Sequence, residues 1–274
     1  MSSSVRQFSR HVVLDLLSLV ESFRANEPSP KVQFVLLHKV KDCDQDAFSK
    51  FLDWLQLNYK VVSYTQATEC IADESIAEPV ACLSFDDGLK NNLNAARIMS
   101  QRNLSGCFFI TPNIVGESSS QVVDLYCKNR MLFNQSLPFM NWDEIQHLLD
   151  TGHEIGNHSN RHYYMMDLSN DQFDEEVSVA REILTSRCGK IEHFAWPYGR
   201  FFHFQKSQVE RVLNLGHTTC ASGERGCHKI TPGTKPSLLR RDSIDISWPL
   251  RHIATILKRG SRNPLGPSEL WPSA

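Results

Sequence analysis

The sequence predicts an α/β fold, a (β/α) barrel with an N-terminal helix packed outside it, and three observations lead there. Apolar runs of strand length alternate with amphipathic helical segments along most of the 274 residues. No composition break and no internal repeat divides the chain. The three clusters richest in chemically active side chains each close a strand run, and parallel barrels carry their chemistry at the C-terminal ends of strands.

The elements follow in order. Val12, Val13, Leu16, Leu17, Val20 and Phe23 recur at helical spacing, so residues 5–25 read as an amphipathic helix packed on the domain. Glu27-Pro-Ser-Pro30 ends it, making residues 1–30 a helix and linker. Strands are expected at 32–40, 60–64, 80–85, 106–111, 154–157, 191–196, 217–221 and 238–246. Helices are expected at 46–57, 89–101, 141–150, 169–187, 207–215 and 248–258, with Asn141 and Ser169 as N-caps. Residues 112–140 show no clear periodicity and read as a lid or substrate loop. The tail 261–274, with three prolines, reads as loosely held beside the main domain at 31–260.

Composition narrows the function. Hydrophobic residues make up 41% and charged residues 22%, as in an ordinary soluble enzyme. The formal charge of -2 leaves no electrostatic footprint for nucleic acid or an anionic membrane. The apolar stretch 12–20 is broken by Asp15, too short to span a bilayer and followed by no small-residue cleavage pattern. The eight cysteines form no C-x-x-C pair. Together these features predict reduced thiols and a cytoplasmic location.

The first chemical cluster is Ser84-Phe85-Asp86-Asp87-Gly88, where adjacent carboxylates repel unless a cation or a proton divides their roles. On its own it also reads as an Asp-Gly turn that starts a helix. The second lies in the run from Gly152 to His162, where His158 and His162 stand four apart, one turn if the chain coils there. Two imidazoles and one carboxylate leave open positions on an ion, as a catalytic site requires. His153 reads as a supporting residue. The third is Trp196-Pro197-Tyr198-Gly199, a turn able to aim backbone N–H groups at an oxyanion.

In this order the three clusters resemble the polysaccharide deacetylases with a NodB-type domain, carbohydrate esterase family 4, over residues 30–260. The connecting run Met140-Asn-Trp-Asp-Glu-Ile145 fits as well. The resemblance implies a distorted (β/α) barrel of seven strands and hydrolysis of the acetamide of an N-acetylated amino sugar. It implies Asp86 as general base, and Asp87, His158 and His162 as ligands of one divalent metal, with Zn first and Co, Ni or Mn also suited. It places Tyr198 N–H at the oxyanion, with Pro197 and Trp196 walling the groove.

Two departures stand out. The family has an Arg three residues before the Pro, where this chain has Phe194; Arg240 or Arg241, with Asp242, is the substitute support for the base. The family's C-terminal Leu-x-His is missing, since residues 253–274 hold no histidine. Leu36-Leu37-His38 closes the first strand instead, making His38 the expected general acid in a permuted arrangement, with His252 the weaker alternative. The competing readings are an amidohydrolase for a small non-sugar amide and an inactive sugar-binding scaffold.

Overall fold

A computed structural model describes residues 12–19 and 29–272. Its centre is a parallel sheet built from β1 (Lys31–Leu37), β3 (Pro79–Phe85), β4 (Gly106–Ile110), β5 (Glu154–Asn157), β6 (His193–Ala195) and β7 (Thr219–Ala221). Two short strands, β9 (Leu238–Leu239) and β10 (Asp242–Ser243), complete it. β9 pairs with β7 while β10 pairs with β1, so one stretch of chain, interrupted only by Arg240 and Arg241, bridges the two edges. Seven passages of chain thereby form a nearly closed barrel. Two further strands lie off this path: β2 (Lys60–Val61) beside β3, and β8 (His228–Lys229) antiparallel to β1.

Strand alternation sorts side chains into two cores. Val32, Phe34, Val80, Cys82, Cys107, Phe109, Ala195, Ala221 and Leu239 fill the barrel interior. Val35, Leu37, Leu83, Phe85, Phe108 and Ile110 face outward against α2 (Gln45–Asn58), α4 (Leu93–Ser100), α6 (Trp142–Asp150) and α9 (Leu250–Gly260). Phe194, Trp196 and Cys220 pack outward against α7 (Asn170–Cys188) and α8 (Lys206–Asn214). Asn141 and Ser169 cap α6 and α7 through reciprocal capping boxes, at the positions expected.

Several local expectations are corrected. The strand expected at 60–64 ends at Val61, and Ser63 caps α3 (Tyr64–Cys70) by accepting from Gln66 N. That helix plugs the interior with Tyr64, whose ring lies 5.0 Å from Phe34. The stretch 112–140 contains α5 (Ser120–Asn129), which buries Val123 and Cys127 with Leu89, Ile114, Met131 and Phe139. The tail is docked: Leu265 bonds to both Cys227 and Lys229, Leu270 is buried, and Trp271 packs on Phe201 with ring centroids 4.6 Å apart. Of the N-terminal helix, residues 12–19 are described and form α1. It meets the domain through Leu14 and through Asp15, which binds Arg251 Nε and His252 Nε2 at 2.7 Å each. Val12, Val13 and Leu16 of the expected packing face are exposed, while Val20 and Phe23 lie outside the described residues.

Register decides the fate of neighbouring residues at the closing strand. Asp242 pairs with Val35, an outward position, and its carboxylate accepts from Gln33 Nε2 at 2.7 Å beneath α9. Burial pushes that carboxyl up to about 6 from 3.8. The fold therefore favours the protonated acid; this contribution is complete below the unfolded value and is lost as pH rises through about 6. Asp242→Asn, which cannot ionise, is expected to raise stability near pH 8 by on the order of 3 kcal/mol and to gain progressively less toward pH 4. Thermal melts across that range check it; a gain independent of pH would count against the carboxyl.

Candidate active site

Asp86 and Asp87 leave the C-terminal end of β3, where Val80, Cys82, Ser84 and Asp86 alternate inward. The parallel register Leu37↔Phe85 brings the next residues, His38 and Asp86, to adjacent positions on the rim. Asp87 and Gly88 then both take left-handed backbone, φ 76 and 70 degrees. Two successive left-handed residues turn the chain sharply, and both carboxylates stay close to His158 Nε2, Asp87 Oδ1 at 3.4 Å and Asp86 Oδ2 at 3.9 Å.

Asp86 is held by Arg241. Nη1 and Nη2 donate to its two oxygens at 2.7 and 2.8 Å, while Nε donates to Ser222 O at 2.8 Å. Arg241 has no exposed surface, and its guanidinium lies 5.0 Å from the Phe109 ring. Burial pushes the Asp86 carboxyl up, but the guanidinium, aided by His158, holds it below the usual carboxylate value. Arg241 thus stands where the missing arginine at Phe194 would act. Arg240 points elsewhere, its Nε donating to Leu270 O. Asp242 takes no part in holding Asp86, because it follows Arg241 in the chain and faces outward.

His158 follows β5, and its Nδ1 donates to Ala195 O at 2.8 Å. His162 Nδ1 donates to Arg130 O at 3.0 Å. With each Nδ1 turned to a carbonyl, both Nε2 atoms face Asp87 Oδ1, each at 3.4 Å. The histidines do not share a helical turn. Ser159 N donates to Asn157 Oδ1, Ser159 and His162 are left-handed at φ 61 and 56 degrees, and Ser159 Oγ accepts from His162 N. Buried Glu176 of α7 anchors this loop by accepting from Arg161 N at 2.8 Å.

Asp87, His158 and His162 are the three-donor cluster among the described residues able to hold a cation, all three buried and their donor atoms within 4.8 Å of one another. Burial pushes the Asp87 carboxyl up, yet the two imidazoles pull it well below its usual value. Two imidazole nitrogens, each ring oriented by the carbonyl behind it, and one carboxylate oxygen suit a divalent first-row metal.

The cluster lies in a cavity of about 240 Å3 lined also by His38, Tyr198 and Arg200. Tyr198 and Gly199 form a left-handed pair, φ 63 and 67 degrees. A Cβ at Gly199 would sit 2.7 Å from Gly223 N, so the turn demands glycine there. Pro197 is buried and Trp196 is a core residue, stacked on Phe204 at 4.4 Å; neither lines the cavity. Their expected place in the wall is taken by Met131 and Phe133, from the segment after α5. No sequence signal marks these two, nor Arg130, whose contribution is a backbone carbonyl. His153 ties Ser100 to the start of β4, and His252, on α9, is buried against Asp15 of α1 rather than in the cavity.

With this geometry in place the comparisons are informative. The profile of the polysaccharide deacetylase family matches residues 73–220, more than half of the chain, and the chain belongs to that family. The fold is similar to that of a polysaccharide deacetylase from Bacillus cereus (TM-score 0.64, 17% identity, covering 83% of this chain and 69% of that one). It is also similar to IcaB from Ammonifex degensii (TM-score 0.64, 19% identity, 82% and 99% covered). A third likeness is to the deacetylase PplD from Streptococcus pyogenes, solved with acetate (TM-score 0.63, 14% identity, 84% and 99% covered). Among curated proteins, none matches the sequence.

Breaking the buried pair from one side isolates its role. Arg241→Gln leaves Asp86 buried without its counter-charge and is expected to cost about 3 to 5 kcal/mol. Adding Asp86→Asn should recover most of that loss in chemical denaturation. Equal losses in the single and double variants would show that the two residues are not coupled.

Proposed function

We propose that the protein is a metal-dependent N-deacetylase of an N-acetylated amino sugar, with zinc as the metal and a cytoplasmic glycan-assembly intermediate as substrate. The observation that carries this reading is the division of labour between neighbours: Asp87 joins His158 and His162, while Asp86 is bound bidentately by Arg241 in the same cavity. A sugar-binding scaffold has no use for an ionised carboxylate beside a three-donor cluster. The eight cysteines are all free, five of them buried, which suits a reducing compartment. Among the described residues no helix is long and apolar enough to cross a membrane.

Asp87, His158 and His162 hold the cation, which when bound polarises the amide carbonyl and acidifies water. Asp86, kept ionised by Arg241, accepts the proton of the attacking water. The water oxygen adds to the acetamide carbon, and the Tyr198 N–H faces the oxyanion that develops. His38, beside Asp86 on the rim, gives a proton to the nitrogen as the C–N bond breaks. Acetate and the free amine leave. In this reading His38 at the end of β1 serves as the acid that the family draws from its Leu-x-His motif, residues 253–274 holding no histidine.

His158→Ala and His162→Ala should each lose metal and activity together, measured by metal analysis and acetate release. Full occupancy in both would remove these ligands from the assignment. Asp86→Asn should keep metal but lose at least about 10²-fold in kcat, and His38→Ala should fall in the same range. Near-normal turnover in either would assign its role to another group. An acetate-release screen over nucleotide-linked, lipid-linked and polymeric amino sugars tests the substrate; activity confined to long polymer would overturn the assembly-intermediate reading.

A further inference from the structure

The segment after α5 walls one side of the cavity, and its anchoring is unusual. The Arg130 carbonyl accepts two hydrogen bonds, from Tyr198 Oη at 2.6 Å and from His162 Nδ1 at 3.0 Å. The wall is therefore bonded directly to one of the three cation-holding side chains and to the Pro-Tyr-Gly turn. Met131, next in sequence, is 6% exposed and packed with Leu89, Ile114 and Phe139. Leu132 takes left-handed backbone, φ 55 degrees, which reverses the chain, and Phe133 N donates to Cys127 O at 2.9 Å. The Phe133 ring then meets the Lys39 ammonium, 5.4 Å from its centroid, just past His38 on the β1 side.

The far end of the segment is also fixed. Leu89 bridges to Phe139, Lys90 N donates to Pro138 O, and Met140 N donates to Gly88 O, all immediately after Asp87. Moving the wall aside would break the two bonds at Arg130 O and expose the Met131 cluster. Polar groups stripped of their partners in a buried site cost about 1 to 3 kcal/mol each. The wall is a fixed part of the site rather than a flap.

The cavity of about 240 Å3 is smaller than the roughly 300 to 1,000 Å3 that holds a drug-sized ligand. One sugar ring with its acetamide fits this scale. An interior unit of a polymer needs chain leaving on both sides, and the Arg130–Phe133 wall occupies one of them. Resting on the amino-sugar reading above, we infer that the enzyme deacetylates a single or terminal acetamido sugar and excludes interior residues. Met131 and Phe133 are then the specificity-determining side chains, and Arg130 O is the positioning group that pins them to the site.

The test uses the metal-loaded full chain with N-acetylglucosamine tetramer and the methyl glycoside of N-acetylglucosamine, mapping each deacetylated position by fragmentation mass spectrometry. Asp86→Asn protein supplies an activity-independent readout, equilibrium binding of the same two probes. The expected result is reaction and binding of the methyl glycoside, with the tetramer deacetylated at one terminal residue alone. Phe133→Ala, and Met131→Ala with Phe133→Ala, should gain interior deacetylation by at least about tenfold while terminal activity persists. The single variant removes only a half-buried ring, so it keeps the test open if the double variant fails to fold. Interior deacetylation by the wild-type chain would overturn the pocket inference and leave the amino-sugar reading standing. Terminal activity in Phe133→Ala without interior gain would overturn the role given to the wall. If neither probe binds or reacts, the amino-sugar reading fails and the inference falls with it.

Discussion

The contact on which the site depends is the buried pair between Arg241 and Asp86. Arg241 sits in the two-residue gap between β9 and β10, the stretch that bridges β7 and β1. Its guanidinium spends its donors inside the barrel: Ser222 O on one flank, Ser84 Oγ and both Asp86 oxygens on the other. A buried ion pair contributes little net stability against an apolar alternative, since desolvation offsets most of the attraction. Its effect is on register. A slip of one residue along β10 would turn Arg241 outward and leave Asp86 buried with no cation beside it. Closing the barrel and ionising Asp86 are accordingly the same structural event.

Local strain is concentrated around this pair. Among the described residues six non-glycine residues have positive φ, and five of them, Asp87, Leu132, Ser159, His162 and Tyr198, belong to the site or its loops. Such backbone costs about 1 to 3 kcal/mol per residue and persists only where the surroundings over-determine it. Here the surroundings are visible: Asn157 and Ser159 side chains bond the His loop, Glu176 holds it from α7, and Gly223 packs on Gly199. The strain explains why an ordinary alternation of strand residues cannot place these side chains. Asp86 follows the interior parity of β3, but Asp87 reaches the histidines only because its backbone leaves that parity at once.

This distinction also marks what the sequence makes legible. Long apolar strands, capped helices and the order of the Asp-Asp, His-x-x-x-His and Pro-Tyr-Gly runs are readable because they depend on side chains at fixed local spacing. The helix α3 is hidden because its capping box follows a two-residue strand, so β-branched Val61 and Val62 extend the strand reading too far. The helix α5 is hidden because its few buried residues pack on a satellite cluster rather than the main core. Trp196 sits beside the Pro-Tyr-Gly motif yet alternates outward with Phe194 into the core, so proximity to a motif does not place a side chain in the site. Carbonyl oxygens such as those of Arg130 and Ala195, which orient the imidazoles, carry no residue signature at all.

The substitution of Arg241 for an arginine at Phe194 follows from the same parity. Phe194 lies outward, its ring 5.6 Å from His217 and 6.4 Å from Phe204, so in this register its side chain is directed away from Asp86. Arg241 is inward but belongs to a strand separated from β3 by β1. Two strand spacings amount to about 9 to 10 Å, within reach of an extended arginine. Lysine offers a point charge and cannot form the two parallel bonds to the carboxylate. The requirement at the site is therefore a planar guanidinium arriving from the interior, and the barrel allows any inward position within side-chain reach to supply it. Leu36, the inward residue of the intervening strand, lines the cavity with an apolar side chain and adds no side-chain partner for the guanidinium.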